Sequence, residues 1–133
     1  MKQEDTLYAV PLEEATADIR LYKDFMTTQF QVKESNILKA FTLHSIELLE
    51  AMGVSATDLR FEFPKVRVYI GKKDGDQDSD FKLFLVPVNE QGQDCIPKGP
   101  AGNGRILEDD EYVYDFTKPC PNTCDTDSVL YQA

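Results

Sequence analysis

Apolar residues recur every three or four positions in the N-terminal part of the chain, which is the period of an amphipathic helix. The first apolar stripe predicts a helix over 12–30, preceded by an arm over 1–11; its members are Leu12, Ala15, Ile19, Tyr22, Met26 and Phe30. A second arc predicts a helix over 36–52 that ends before Gly53; its members are Ile37, Phe41, His44, Leu48, Ala51 and Met52. Leu43 and Ile46 lie on the other side of the second helix, so it carries more apolar residues than one face needs.

Beyond residue 60 the apolar period changes from 3.6 to 2, which predicts strands over 65–71, 81–88 and 112–116. The strand over 81–88 is apolar on both faces. The order of the elements predicts an α+β fold, with two N-terminal helices packed on one face of a small antiparallel sheet. An irregular tail rich in cysteine and proline follows. We expect one domain composed of the arm 1–11, a helical part 12–52, a sheet part 61–116 and the tail 117–133.

The charge balance limits the classes of partner. The chain of 133 residues has 24 acidic and 14 basic side chains, a net charge of -10. Non-specific binding to nucleic acid or to an anionic membrane needs clustered Lys and Arg, so we expect neither partner. No apolar run is long enough to span a bilayer, and the first residues lack the apolar segment of a signal peptide. Together with an odd number of cysteines, this predicts a cytoplasmic protein with reduced thiols.

Five short motifs occur in order along the chain. They are Arg67-Val68-Tyr69-Ile70-Gly71, the strand Leu83 to Val88, Gly92-Gln93-Asp94, Tyr114-Asp115-Phe116-Thr117, and Pro119-Cys120-Pro121-Asn122-Thr123-Cys124. This combination resembles a group of small uncharacterised Bacteroidota proteins with a C-terminal P-C-P-x-x-C motif. The resemblance covers residues 12 to 130 and implies a source and a compartment but no activity. The longer acidic loop from Lys72 to Asp80 departs from that group, so any function of the loop belongs to this chain.

That loop places an aspartate at every second position: Asp74, Asp76, Asp78 and Asp80. Calcium loops space their oxygen ligands in this way, so a calcium site is one interpretation. Ser79 and Leu85 stand where a calcium hand requires a glycine and a bidentate acid. The plainer interpretation is a charged, solvated hairpin tip.

Thiols and a single histidine form the second candidate site. Cys120 and Cys124 are separated by three residues and could share a zinc ion, with Cys95 and His44 completing four ligands. The plainer interpretation is that the two thiols of the tail pack against the sheet. For His44, the plainer interpretation is a neutral core histidine on the apolar face of the second helix.

These observations predict a non-enzymatic binding or regulatory module that acts through a protein surface and has no cofactor. The chain has a single histidine, which limits acid–base and nucleophilic chemistry, and this supports the prediction. The alternative is a metal-dependent protein or enzyme that uses the cysteines (zinc) or the aspartate loop (calcium). We expect a protein partner or self-association, including a weak homodimer through the helix 36–52 by way of Leu43 and Ile46. The tail 117–133 is expected to cover the open side of the sheet.

Overall fold

A computed structural model describes residues 9–53, 61–73, 81–101, 104–115 and 125–133. The fold is α+β, and its five strands form one antiparallel sheet in the order β1-β5-β4-β3-β2. A short 3-10 helix at Glu34–Asn36 precedes β2. The other elements follow along the chain as β1 (Ala9–Pro11), α1 (Leu12–Gln29), β2 (Ala40–His44), α2 (Ser45–Ala51), β3 (Lys65–Lys72), β4 (Phe81–Val88), β5 (Tyr112–Tyr114) and α3 (Val129–Gln132).

Helix α1 confirms the first predicted helix. Its buried side chains, Ala15, Asp18 and Tyr22, are three and four residues apart and form one stripe against the sheet. Glutamates in the first turn favour the start of the helix, because they lie near the positive end of its dipole. The Tyr22 hydroxyl donates to the carbonyl oxygen of Leu38 at 2.7 Å, which ties α1 to the segment that leads into β2.

Among the described parts of the chain, no helix is both long and apolar enough to cross a membrane. The longest is α1, with 18 residues, and acidic and basic side chains occur along it.

The predicted helix over 36–52 is wrong in its first half. Residues 40–44 form strand β2, in which Phe41 pairs with Val68 and Leu43 pairs with Val66 of β3. Ile37, Phe41 and His44 follow the period of a helix, whereas Phe41 and Leu43 are two positions apart, which is the period of a strand, and a run this short does not distinguish the two. Pairing with β3 gives this segment ladder hydrogen bonds together with cross-strand side-chain contacts, and this tertiary contact decides the outcome.

Helix α2 is the part of the second predicted helix that forms, and it has seven residues. It begins where the Ser45 amide donates to the Pro64 carbonyl oxygen at 2.9 Å and the Ser45 hydroxyl donates to the Phe63 carbonyl oxygen at 2.8 Å. His44 therefore ends a strand and is exposed, so the prediction of a core histidine on a helix is wrong.

The three predicted strands are present, and two more join them. Strand β5 is shorter than predicted, and the sheet extends at both edges. At one edge is β2; at the other is β1, formed by the last three residues of the predicted arm, with Val10 opposite Val113. Residues 1–8 of the arm lie outside the described residues.

Apolar clusters form on both sides of the sheet. The larger one lies under α1 and consists of Val10, Ala15, Phe84, Val86 and Val113. The smaller one is on the opposite side, at the β1–β5 end, where residues from the loop after β4 cover the strands; its members are Ala9, Ala101, Ile106 and Tyr112. Among the described residues, this loop contributes to the second side at its β1–β5 end.

Tyr114 provides a test of this smaller cluster. The rings of Tyr112 and Tyr114 meet edge to face at 5.5 Å, and burial together with the neighbouring Tyr112 hydroxyl raises the pKa of Tyr114 to about 12. Because this folded-state pKa lies above the ordinary value of 10, the contribution of Tyr114 to stability is complete below pH 10 and is lost as the pH rises through 12. Titration followed by phenolate absorbance should show a late transition that Tyr114→Phe removes. Titration of all the tyrosines together near their ordinary pKa would contradict this.

Candidate binding surfaces

The side of the sheet that faces away from α1 presents rows of apolar residues across β2, β3 and β4. Side chains alternate along each strand, and Phe84 and Val86 of β4 face α1, so Leu85 and Pro87 face the other way. The pairing register places these side chains in two rows across three strands. We call this surface the open face, and it consists of the rows Phe41–Val68–Leu85 and Leu43–Val66–Pro87.

The open face is accessible at its β2 side. Phe41 is 53% exposed and Leu43 is 38% exposed, and the other four residues are partly buried. Helix α1 packs on the opposite side, and α2 has its main contact with β2. Contiguous apolar rows of this kind are uncommon on soluble proteins and are typical of interaction sites.

Acidic side chains gather at one end of the open face. Strand β2 ends, β3 begins and β4 ends at this end of the sheet, because the strands are antiparallel. The segments attached there carry four exposed glutamates: Glu47 and Glu50 on α2, Glu62 before β3, and Glu90 after β4. The four glutamates outnumber Lys65, the first residue of β3, so the open face combines an apolar centre with an end of net negative charge.

The tail was expected to cover this side of the sheet. Of the tail, the structure describes residues 125–133, where Ser128 caps the short helix α3. Val129 and Leu130 are 82% and 85% exposed, so this part of the tail buries neither of them against the sheet. Residues 117–124 lie outside the described residues.

A pocket of about 210 Å3 lies between α1 and the sheet. Its walls are apolar, formed by Leu12, Ala15 and Ile19 of α1 and by Phe84, Val86 and Val113 of the sheet. The loop after β4 supplies Asp94 and Ile96, the exposed members of the lining, so the pocket opens beside them.

The carboxylate of Asp94 is held in place at the mouth of this pocket. Arg67 Nη1 donates to Asp94 Oδ1 at 2.7 Å, and the Tyr69 hydroxyl donates to Oδ2. Arg67 is itself fixed, because its Nε donates to Thr42 Oγ1 at 3.0 Å and its terminal nitrogens donate to the Gly92 carbonyl oxygen at 3.2 Å. Burial raises the pKa of Tyr69, and the hydrogen bond to Asp94 raises it further, so Tyr69 remains a protonated donor.

The structure places two of the sequence-predicted site residues on separate elements. His44 ends β2, while Cys95 follows β4 with its amide donating to the Pro87 carbonyl oxygen at 2.8 Å. The remaining candidates, Cys120, Cys124, Asp74, Asp76, Asp78 and Asp80, lie outside the described residues. Within the described ranges, no group of three or more His, Cys, Asp or Glu side chains could hold a metal ion. The zinc and calcium sites stay predictions.

Sequence reasoning missed the Arg67–Tyr69–Asp94 cluster. The signal available in the sequence was that Arg67 and Tyr69 are two residues apart, which places both on one face of β3. Nothing in the sequence indicated that Asp94, on a loop, folds back over that face.

Comparisons with known proteins provide no relative. No family model matches the chain, no curated protein matches it, and no solved structure matches it. The function must therefore be inferred from the open face and the pocket.

Proposed function

We propose that this protein is a non-enzymatic binding module that engages another protein through the open face. The observation that supports this proposal is the exposure of Phe41 and Leu43 at the edge of two continuous apolar rows. An antiparallel sheet can leave one face to water when that face is polar, but the open face is apolar, and α1 covers the other side. A partner would supply the second layer.

The partner that fits best is an amphipathic helix with basic residues beside its apolar stripe. A helix is the usual cover for a sheet face, as α1 shows on the other side. The chain has a net charge of -10, and four glutamates stand at one end of the open face. Complementary charge steers association and selects partners, so basic residues are expected beside the apolar contact.

Self-association is the competing possibility. The homodimer through Leu43 and Ile46 stays a prediction, with Leu43 now on β2 and Ile46 on α2 rather than on one helix. Two copies joined through their open faces would also bring the glutamates of both chains close to a shared interface, and like charges oppose such a contact.

Titration calorimetry with synthetic helical peptides tests the proposal. The probe has about 18 residues, with leucine on one face and lysine on the other, and a matched peptide has glutamate in place of lysine. We expect the lysine peptide to bind at least about 10-fold more tightly than the glutamate peptide. Phe41→Ser combined with Leu43→Ser should weaken binding by about 10-fold or more, because it removes the two exposed apolar anchors. The control variant is Leu107→Ser, which changes an exposed leucine outside the open face.

Two results would overturn the proposal. Equal binding of the two peptides would remove the argument from charge. Sedimentation equilibrium that shows a stable dimer, split into monomers by the Phe41 and Leu43 substitutions, would mean that a second copy covers the open face.

A further inference from the structure

The pocket beneath α1 is larger than ordinary packing defects. Protein interiors are packed as densely as organic crystals, with few voids larger than a water molecule. An apolar cavity of about 150 Å3 is enough to hold benzene. The pocket here measures about 210 Å3, opens beside Asp94 and has apolar walls, so it has room for one six-membered ring with a small substituent.

The two hydroxyl groups among the residues that line the pocket already donate their protons within the protein. The Thr16 hydroxyl donates its proton to the Glu13 carbonyl oxygen at 3.0 Å, and the Tyr69 hydroxyl donates its proton to Asp94. Asp94 is an acceptor and keeps free lone pairs beside the two bonds that it already receives. A ligand that satisfies this lining must therefore bring the donor.

The charge of the lining is already compensated. Arg67 lies 2.7 Å from Asp94 Oδ1, so the carboxylate does not present an unpaired charge to a ligand. Moving an ion from water into apolar walls carries a large desolvation cost, and the paired carboxylate provides little to offset it for a cation. An anion would meet acceptors alone.

From this geometry we infer that the pocket is a site for an uncharged, single-ring apolar molecule that donates one hydrogen bond, a phenol-sized ligand. The ring lies between α1 and the sheet against Ala15, Ile19, Phe84 and Val113, and the donor faces the acceptors at the mouth. This inference is independent of the open face, because the two surfaces lie on opposite sides of the sheet.

Binding of four probes of similar size tests the chemistry of the site. Phenol carries an uncharged donor, anisole has an acceptor alone, and benzoate and benzylammonium carry opposite charges. We expect phenol to bind with a dissociation constant of about 1 mM or lower. Anisole should bind about 10-fold more weakly, which is the value of one hydrogen bond. Both ions should also bind about 10-fold more weakly or worse, because of their desolvation. Equal affinities of phenol and anisole would overturn the assignment of a donor.

Leucine substitutions at two alanines of α1 test the location of the site. Ala15→Leu adds three carbon atoms to a buried position that lines the pocket and should reduce phenol affinity by about 10-fold or more. Ala17→Leu makes the same change at an exposed position of the same helix and should leave phenol affinity unchanged. Unchanged affinity in Ala15→Leu would overturn the site.

Chemical-shift mapping on the unaltered protein keeps the inference testable if Ala15→Leu does not fold. Phenol should shift the methyl signals of Ala15, Ile19 and Val113 and leave that of Ile46, an exposed residue of α2, in place. Shifts at Ile46 without shifts at the three pocket methyl groups would overturn the inference.

Discussion

Phe84→Ala should lower the free energy of unfolding by about 3–5 kcal/mol, the usual cost of removing a fully buried aromatic side chain. Phe84 is 2% exposed and lies in the cluster that joins α1 to the sheet. Its ring also occupies the space above Gly71, so its removal leaves a cavity that the surrounding backbone closes only in part. Urea unfolding with linear extrapolation measures the change.

Phe41→Ala is the matched control, because it removes the same side chain from a strand position that is 53% exposed. We expect it to cost less than half as much, since much of the ring is already in contact with water. Equal costs at the two positions would show that Phe41 is buried in solution, and this would contradict an accessible open face.

The elements that the sequence predicted correctly are the long ones with a consistent period. Helix α1 keeps its apolar stripe over 18 residues, β3 alternates between polar and apolar residues over most of its length, and β4 is an almost continuous apolar run of the length of a strand. Short segments fit two periods at once, and the competition between them is settled by contacts that are distant in sequence. Strand β2 forms because the edge of β3 accepts it, and β1 forms because Val10 meets Val113, about a hundred residues away along the chain.

The candidate surfaces were only partly visible in the sequence. Strand β4 is apolar on both faces, which correctly predicted that one helical layer could not cover the sheet. The uncovered apolar surface lies in a different place from the one predicted. Leu43 belongs to β2, not to a helix, and adds to the same surface of the sheet as Leu85. The pocket was not predictable, since it depends on how α1 lies across the strands and on a loop that brings Asp94 to Arg67, 27 positions away.

Gly71, the last residue but one of β3, lies where the Phe84 ring and α1 both approach the strand closely. A Cβ atom built on Gly71 would lie 2.5 Å from Cε2 of Phe84 and 3.2 Å from Cβ of Asp18. Asp18 is itself buried on α1, so neither neighbour can turn out into solvent. Gly71→Ala should therefore lower the free energy of unfolding by about 1–3 kcal/mol, the range for an overpacked core.

A double-mutant cycle identifies the atom responsible for this crowding. Phe84→Leu removes the ring edge that a Cβ at position 71 would strike, so the cost of Gly71→Ala should fall when position 84 is leucine. We expect the loss in the double variant to be smaller than the sum of the two single losses by about 1 kcal/mol, as is typical of residues in contact. Losses that add to within about 0.5 kcal/mol would mean that the α1 backbone at Asp18, not the Phe84 ring, sets the limit. A loss smaller than the sum would mean that the Phe84 ring, which also lines the pocket beneath α1, is what excludes a side chain at position 71.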